Sequence, residues 1–221
     1  MIPKIIHFVW IGSKMPIWAE INIRLFRKLN PDYEVRIHGR EICQELEKAS
    51  GLITGIHKLS ETSDLIRLTV LKNMGGWYFD TDFMPFRPID DIIKQYDLEN
   101  KDFFIAKATD NCYANGLIGA GKGSYMIEQI VKRVEDKAYH SGYTGWGCFG
   151  TIPMTDVCKE NPDKVVIGNP KDFFPIPDWE KFKIVSAYIK LITGEPSIKM
   201  FPGNPFMLHF HCQDSTRMED I

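Results

Sequence analysis

Apolar residues in this chain follow two alternating periods, and the switches between them mark out most of the elements. Ile5-Ile6-His7-Phe8-Val9-Trp10-Ile11 is a nearly unbroken β-branched and aromatic run closed by Gly12. That is the pattern of a parallel strand buried on both faces, with His7 as a hydrogen-bonded structural histidine. From Pro16 to Leu29 the residues Ile17, Ile21, Leu25, Phe26 and Leu29 repeat at helical spacing, and a proline is tolerated in the first turn. Asn30-Pro31-Asp32 ends that helix and Tyr33 to Ile37 alternates as a second strand. Strand, helix, strand is the βαβ unit of a doubly wound sheet.

A helical segment around Glu41 to Lys48 and a turn at Ser50-Gly51 lead into the most informative stretch. From Ser60 to Met74 the positions Leu65, Leu68, Leu71 and Met74, widened by Ile66 and Val70, predict a helix with one buried face. Ser60 or Thr62 can cap its start, Glu61 and Asp64 suit the positive end of its dipole, and Gly75-Gly76 stops it. Trp77-Tyr78-Phe79 then reads as a short buried strand that delivers Asp80 and Asp82 at its carboxyl end.

Two carboxylates separated by one residue share a face of an extended chain, and they repel unless a cation lies between them. Mg²⁺ or Mn²⁺ with oxygen ligands meets that need and keeps positions open for phosphates. Asp64 and Arg67, three apart on the polar face, are either a surface ion pair or part of the same site, with Arg67 on a phosphate or sugar hydroxyl.

Beyond Asp82, Pro85 and Pro88 predict an irregular extended segment, followed by a helix from Asp90 to Tyr96. Strands are predicted at Phe103 to Ala106, Asn115 to Ala120 and Val165 to Ile167, and helices at Tyr125 to Ala138 and Ile152 to Lys159. Gly142 to Gly150 either lines the acceptor side or packs the core, and Phe173 to Pro177 reads as a surface segment shaping an acceptor cleft. Trp179 to Ile192 is a packed terminal helix by default, with an interfacial membrane helix as the alternative. Phe206 to Ser215 is an apolar strand ending in polar residues, with His209 and His211 on one face.

Composition narrows the class without deciding the chemistry. A chain of 221 residues with 44% hydrophobic residues fits one sizeable α/β domain, spanning 1–221. A net charge of −2 gives no global field for nucleic acid or an anionic membrane, so a phosphate-bearing ligand needs a local site. Five scattered cysteines fit reduced thiols better than a disulfide frame. Met1-Ile2-Pro3-Lys4 runs straight into a strand with no leader pattern, and no uncharged apolar run reaches the roughly 18 residues that span a bilayer. The expectation is a cytoplasmic protein with peripheral contact at the inner membrane face.

Ser63-Asp64-x-x-Arg67 followed by Gly75-Gly76-x-Tyr78-x-Asp80-x-Asp82 resembles the sugar-binding region of glycosyltransferase family 32. That family includes bacterial polysaccharide transferases and yeast Golgi mannosyltransferases, and it is close to the catalytic domain of the large clostridial glucosylating toxins. Pro3 to Gly12 resembles its opening strand. The resemblance implies a GT-A type nucleotide-sugar-binding α/β domain, with a mixed, mostly parallel central sheet flanked by helices. It implies Asp64, Arg67, Asp80 and Asp82 as catalytic residues. Donor contacts would come from Val9, Trp10, Gly12, Ser63, Asp64, Arg67, Tyr78, Asp80, Thr81, Asn115 and Ser215.

Asn111 is an alternative to Asn115, and Trp10 either stacks on a uracil or belongs to the core. Metal ligands would be Asp80, Asp82 and His211, because His211-x-x-x-Ser215 keeps the family spacing; Thr216 replaces the aromatic residue usual after that serine. The implied activity is retaining, metal-dependent transfer of a hexose from a nucleotide sugar, UDP-hexose favoured. The acceptor would be a glycan or lipid-linked saccharide in surface polysaccharide synthesis. Two other classes fit the acidic pair: a haloacid-dehalogenase-like phosphatase using Asp80 as nucleophile, and a non-enzymatic nucleotide-sugar-binding protein.

Overall fold

The computed structural model describes residues 1–12, 14–39, 42, 59–109, 112–141, 147–175 and 204–209. Among the described residues six strands form the main sheet: β1 (Ile5–Val9), β2 (Glu34–His38), β3 (Gly76–Phe79), β5 (Phe103–Thr109), β6 (Cys112–Ala120) and β7 (Val166–Gly168). Their order is β2-β1-β3-β6-β5-β7. β1 runs parallel to both β2 and β3, and β7 is parallel to β5. β6 alone is reversed, being antiparallel to both β3 and β5. The sheet is thus mixed and mostly parallel, as the family resemblance implies.

β3 explains its own unbroken aromatic sequence. Trp77 and Phe79 enter the core that also holds Ile23, Phe26, Phe104 and Phe206. Tyr78 points the other way, into a core with Leu68, Leu71, Ile127 and Met154. Side chains alternate across a strand, so a strand covered on both faces has no polar position to spare.

α1 (Ile17–Leu29) packs its Ala19, Asn22, Ile23 and Phe26 side inward. α2 (Leu59–Met74) covers the Tyr78 face together with α4 (Tyr125–Ser141) and α5 (Thr151–Glu160). Gly75 and Gly76 end α2 with φ of +66° and +106°. A Cβ on them would meet the Lys122 backbone nitrogen at 2.5 Å and the Ile5 carbonyl oxygen at 2.6 Å, so both positions require glycine.

Several expectations are corrected. Asp80 and Asp82 do not continue an extended strand: Phe83 N–H donates to the Asp80 carbonyl at 3.1 Å, closing a turn. The segment after the turn is not irregular either, because β4 (Phe83–Pro85) pairs antiparallel with β8 (Met207–His209) in a second, two-stranded sheet. Pro85 ends its strand, where a missing N–H is tolerated.

Asn115 does not begin its strand. β6 already starts at Cys112, and Asn115 lies where the β5–β6 register shifts between Ile105 and Lys107. Nor is Phe173 a surface residue: it closes the short helix α6 (Pro170–Phe173), fully buried against Phe104 and Phe206. α3 (Ile89–Gln95) sits close to its predicted position. The predicted helices at Glu41 to Lys48 and Trp179 to Ile192 lie outside the described residues apart from Ile42. Cys112, Cys148 and Cys158 are reduced, outside any disulfide. Among the described residues no helix is long and apolar enough to cross a membrane.

Candidate active site

β3 and α2 together aim one network at the carboxyl end of the sheet. Asp80 follows Tyr78 by two residues and takes the same side, the side of α2. There the Tyr78 hydroxyl donates to Asp80 Oδ1 at 2.7 Å, and the Arg67 guanidinium reaches that same oxygen at 3.2 Å. Arg67 also pairs with Asp64 Oδ1 at 3.0 Å, donates to the Asn115 carbonyl at 2.6 Å and lies 4.6 Å over the Tyr78 ring. Asn115 returns the bond through Nδ2 to Asp64 Oδ1 at 3.0 Å, and Ser63 hydrogen-bonds the Tyr78 hydroxyl.

The surface reading of Asp64 and Arg67 is therefore overturned. Arg67 is 4% exposed and Asp64 9%, because the Leu65 face of α2 is wide enough to carry both under β6. Burial pushes the Asp64 carboxyl up to about 6, against the pull of Arg67. Burial opposes the charge on Arg67 too, yet Asp80, Tyr78 and Asp64 hold its guanidinium protonated. Burial raises the Tyr78 hydroxyl, which stays a donor.

Asp82 falls on the other side of the turn. His209 Nε2 stands 3.1 Å from Asp82 Oδ1, and the imidazole lies 4.3 Å from the Phe83 ring and 5.5 Å from Phe174, centroid to centroid. β8 delivers this histidine, since His209 is registered opposite Phe83. Ligand atoms of Asp80, Asp82 and His209 all lie within 4.8 Å of one another. Two carboxylates and an imidazole at that spacing fit one divalent cation. His211 and Ser215 lie outside the described residues; among the described residues the histidine beside the acidic pair is His209, which precedes His211 by two.

Two positions that the sequence reading missed hold the turn. Asn22, fully buried on α1, donates from Nδ2 to the Thr81 carbonyl at 2.9 Å. Its signal was legible, a polar residue inside the Ala19-Asn22-Ile23-Phe26 stripe. Gly116 accepts the Asp80 N–H at 2.8 Å, and a Cβ there would lie 3.1 Å from Asp80 Cγ. Nothing in the sequence distinguishes Gly116 from an ordinary strand glycine.

The β1 side is simpler. His7 pairs with Tyr78 in register, so Val9 and Trp10 leave the sheet beside Asp80 and Thr81. Val9 turns its side chain into the core. Trp10 is half-buried, edge-on to Trp18 at 6.5 Å, with Gly12 against its indole. His7 is structural: its ring bridges His38 Nε2 at 2.9 Å and the Gly75 carbonyl at 2.8 Å.

Comparison with known proteins agrees with this geometry. Residues 20–99, which carry α2, β3 and the acidic turn, match the family model of the glycosyltransferase sugar-binding region containing the DXD motif. "Subversion of eukaryotic traffic protein A" of Legionella pneumophila is 27% identical over 166 residues, 61% of this chain. The chain spans about a quarter (25%) of the length of that curated relative.

Among solved structures, the PaToxG glycosyltransferase superposes with a TM-score of 0.58 at 19% identity, covering 73% of this chain and 70% of its own. A glycosyltransferase involved in glycosylation of the major capsid of PBCV-1 has a TM-score of 0.53 at 14% identity, covering 99% and 100%. The phosphatase alternative for Asp80 is set aside by this match and by the engagement of Asp80 with Arg67 and Tyr78. Residues 20–99 thus match the DXD-containing sugar-binding region, and the fold is that of the glycosyltransferase structures on which the chain superposes.

Proposed function

We propose that this chain transfers a hexose from a nucleotide sugar, with UDP-hexose the favoured donor, to a saccharide or glycan acceptor in surface polysaccharide synthesis. The observation that carries the reading is the convergence of Asp80, Asp82 and His209 beside the buried Arg67 network. Mn²⁺ or Mg²⁺ held by these three would supply Lewis-acid stabilisation of the diphosphate leaving group. The imidazole in the set favours Mn²⁺ over Mg²⁺, a harder ion that prefers oxygen.

The chain's own residues then do the positioning. Trp10 offers its indole to the base, and Asp64, Arg67 and Asn115 fix the sugar hydroxyls and so the direction of the anomeric carbon. The bond from that carbon to the diphosphate oxygen breaks as a bond to the acceptor hydroxyl forms. The hydroxyl proton leaves with the diphosphate. Among the described residues Asp64 and Asp80 are paired with Arg67, and Asp82 is committed with His209 to the cation set. The reading therefore uses no protein nucleophile and takes a front-face route with retention of configuration.

A panel of nucleotide sugars with and without Mn²⁺ tests it, read by melting temperature and by release of free sugar. The expected result is a UDP-sugar that raises the melting temperature and is slowly hydrolysed only with the metal. A binding protein without activity would show the shift and no hydrolysis at any enzyme concentration. Peripheral attachment at the inner membrane face, proposed alongside, is checked by co-sedimentation with vesicles.

A further inference from the structure

Gly150 lies against the sugar-facing pair in a way that the transfer reading has not used. It caps the start of α5, its carbonyl accepting the Met154 N–H at 3.2 Å and its N–H donating to the Gly147 carbonyl at 3.3 Å. A Cβ built on Gly150 would lie 2.8 Å from Asp64 Oδ2 and would overlap Asn115 Nδ2. The backbone of α5 thus approaches the Asp64–Asn115 hydrogen bond as closely as a chain without a side chain allows.

α5 has no freedom to retreat. Cys148 and Phe149 immediately before it, and Met154, Val157 and Cys158 within it, are buried in the core of the Tyr78 face. Thr155 adds a tie to β6, accepting the Tyr113 N–H at 3.3 Å. A side chain at 150 would therefore be accommodated by displacing Asn115 and Asp64, the softer partners, rather than the helix. Asp64 Oδ1 already serves Arg67 and Asn115 at 3.0 Å each, so the displacement would pass directly to the guanidinium.

We infer that Gly150 is a positioning residue for sugar transfer: its bare Cα lets α5 close on Asp64 and Asn115 and lock them as one clamp for donor hydroxyls. This rests on the reading that Asp64 and Asn115 face the donor sugar. Misplacing an orienting group by about 1 Å can cost a hundredfold in rate, so the effect falls on kcat more than on KM.

The test is a cycle of wild type, Gly150→Ala, Asn115→Ala and the double variant. Each is assayed for Mn²⁺-dependent UDP-glucose hydrolysis, for melting temperature and, where Asn115 is retained, for the side-chain amide resonances of Asn115. In the wild-type background Gly150→Ala should lower kcat at least tenfold, change KM less than threefold and shift the Asn115 amide signals. With Asn115→Ala present the same substitution should lower kcat at least threefold less than in wild type, because the closer of the two groups it strikes is gone and only Asp64 Oδ2 remains.

Equal losses in both backgrounds, or unmoved Asn115 resonances, would overturn the inference. If Gly150→Ala alone does not fold, recovery of a melting transition in the double variant supports it and continued unfolding refutes it. If wild type hydrolyses no nucleotide sugar, the transfer reading fails by itself, while the amide shifts and melting temperatures still decide the contact.

Discussion

The two carboxylates of Asp80-Thr81-Asp82 occupy unlike surroundings although one residue separates them. Asp80 sits in a network drawn from α2, β3 and β6, where Arg67 binds two carboxylates, a carbonyl and an aromatic face. Asp82 has His209 across a short two-stranded sheet, and the ring of Phe83 behind that histidine. The Arg67 half is saturated by its own hydrogen bonds and built to hold position. The His209 half gathers a carboxylate and an imidazole at the spacing of metal ligands. That division assigns orientation to the Arg67 half and cation binding to the His209 half, with Asp80, a member of both sets, joining them.

The sharpest way to break the division is Asp82→Asn. It keeps the size of the side chain and removes the charge, so Mn²⁺-dependent turnover of a UDP-sugar should fall about 10³-fold, with little change in melting temperature. Turnover surviving within about tenfold of wild type would show that the Arg67 half suffices. Arg67→Met is the complementary variant. It leaves Asp64 and Asp80 without their counter-charge and should cost about 3–5 kcal/mol of stability, read as a lower urea midpoint. Adding Asp64→Asn to it should recover part of that loss, since a buried charge goes with its partner.

The same division separates what the sequence made legible from what it did not. The Arg67 half lies almost wholly within one contiguous helix, glycine pair and strand, so the resemblance to the family motif brought Asp64, Arg67, Tyr78 and Asp80 together. Even there the burial of Asp64 and Arg67 was misread, because helical periodicity reports which face is apolar and not how far a neighbouring strand, here β6, overhangs it. The His209 half depends on a strand more than 120 residues away pairing with β4. Family spacing selected His211, whereas among the described residues the β4–β8 register sets His209 beside Asp82. Gly116 and Gly150 were invisible for a related reason, since the value of a missing side chain appears only when the opposing group is in place.

A third prediction concerns the frame beneath both halves. His7, buried between His38 and the Gly75 carbonyl, is held down at about 4, first by burial and further by His38 and Arg36, while Gly75 and Glu34 pull the other way. The unfolded chain therefore takes up a proton on this side chain near pH 6.5, and the folded chain does so only near pH 4. The folded state binds fewer protons in that window, so its stability falls as the pH drops through it, by up to about 1.4 kcal/mol per pH unit from this group. His7→Gln retains one donor and one acceptor without a titrating ring. Its urea midpoint should decline less steeply than wild type between pH 6.5 and 4; equal slopes would place the acid sensitivity elsewhere.

The smallest expected effect lies where the two halves meet. Asn22 reaches across from α1 to the Thr81 carbonyl, the residue between the two aspartates. Asn22→Ala removes one hydrogen bond and strands a buried carbonyl, which should cost about 1–2 kcal/mol. If the bond only supports the core, the variant melts lower and turns over normally at temperatures where it is folded. If it sets the angle between Asp80 and Asp82, as the turn geometry requires, Mn²⁺ affinity should weaken several-fold in the folded variant, while donor binding measured without metal stays unchanged. The Arg67 network contains no atom of Asn22 or Thr81, so a loss confined to the metal would trace the boundary between orientation and cation binding to this one carbonyl.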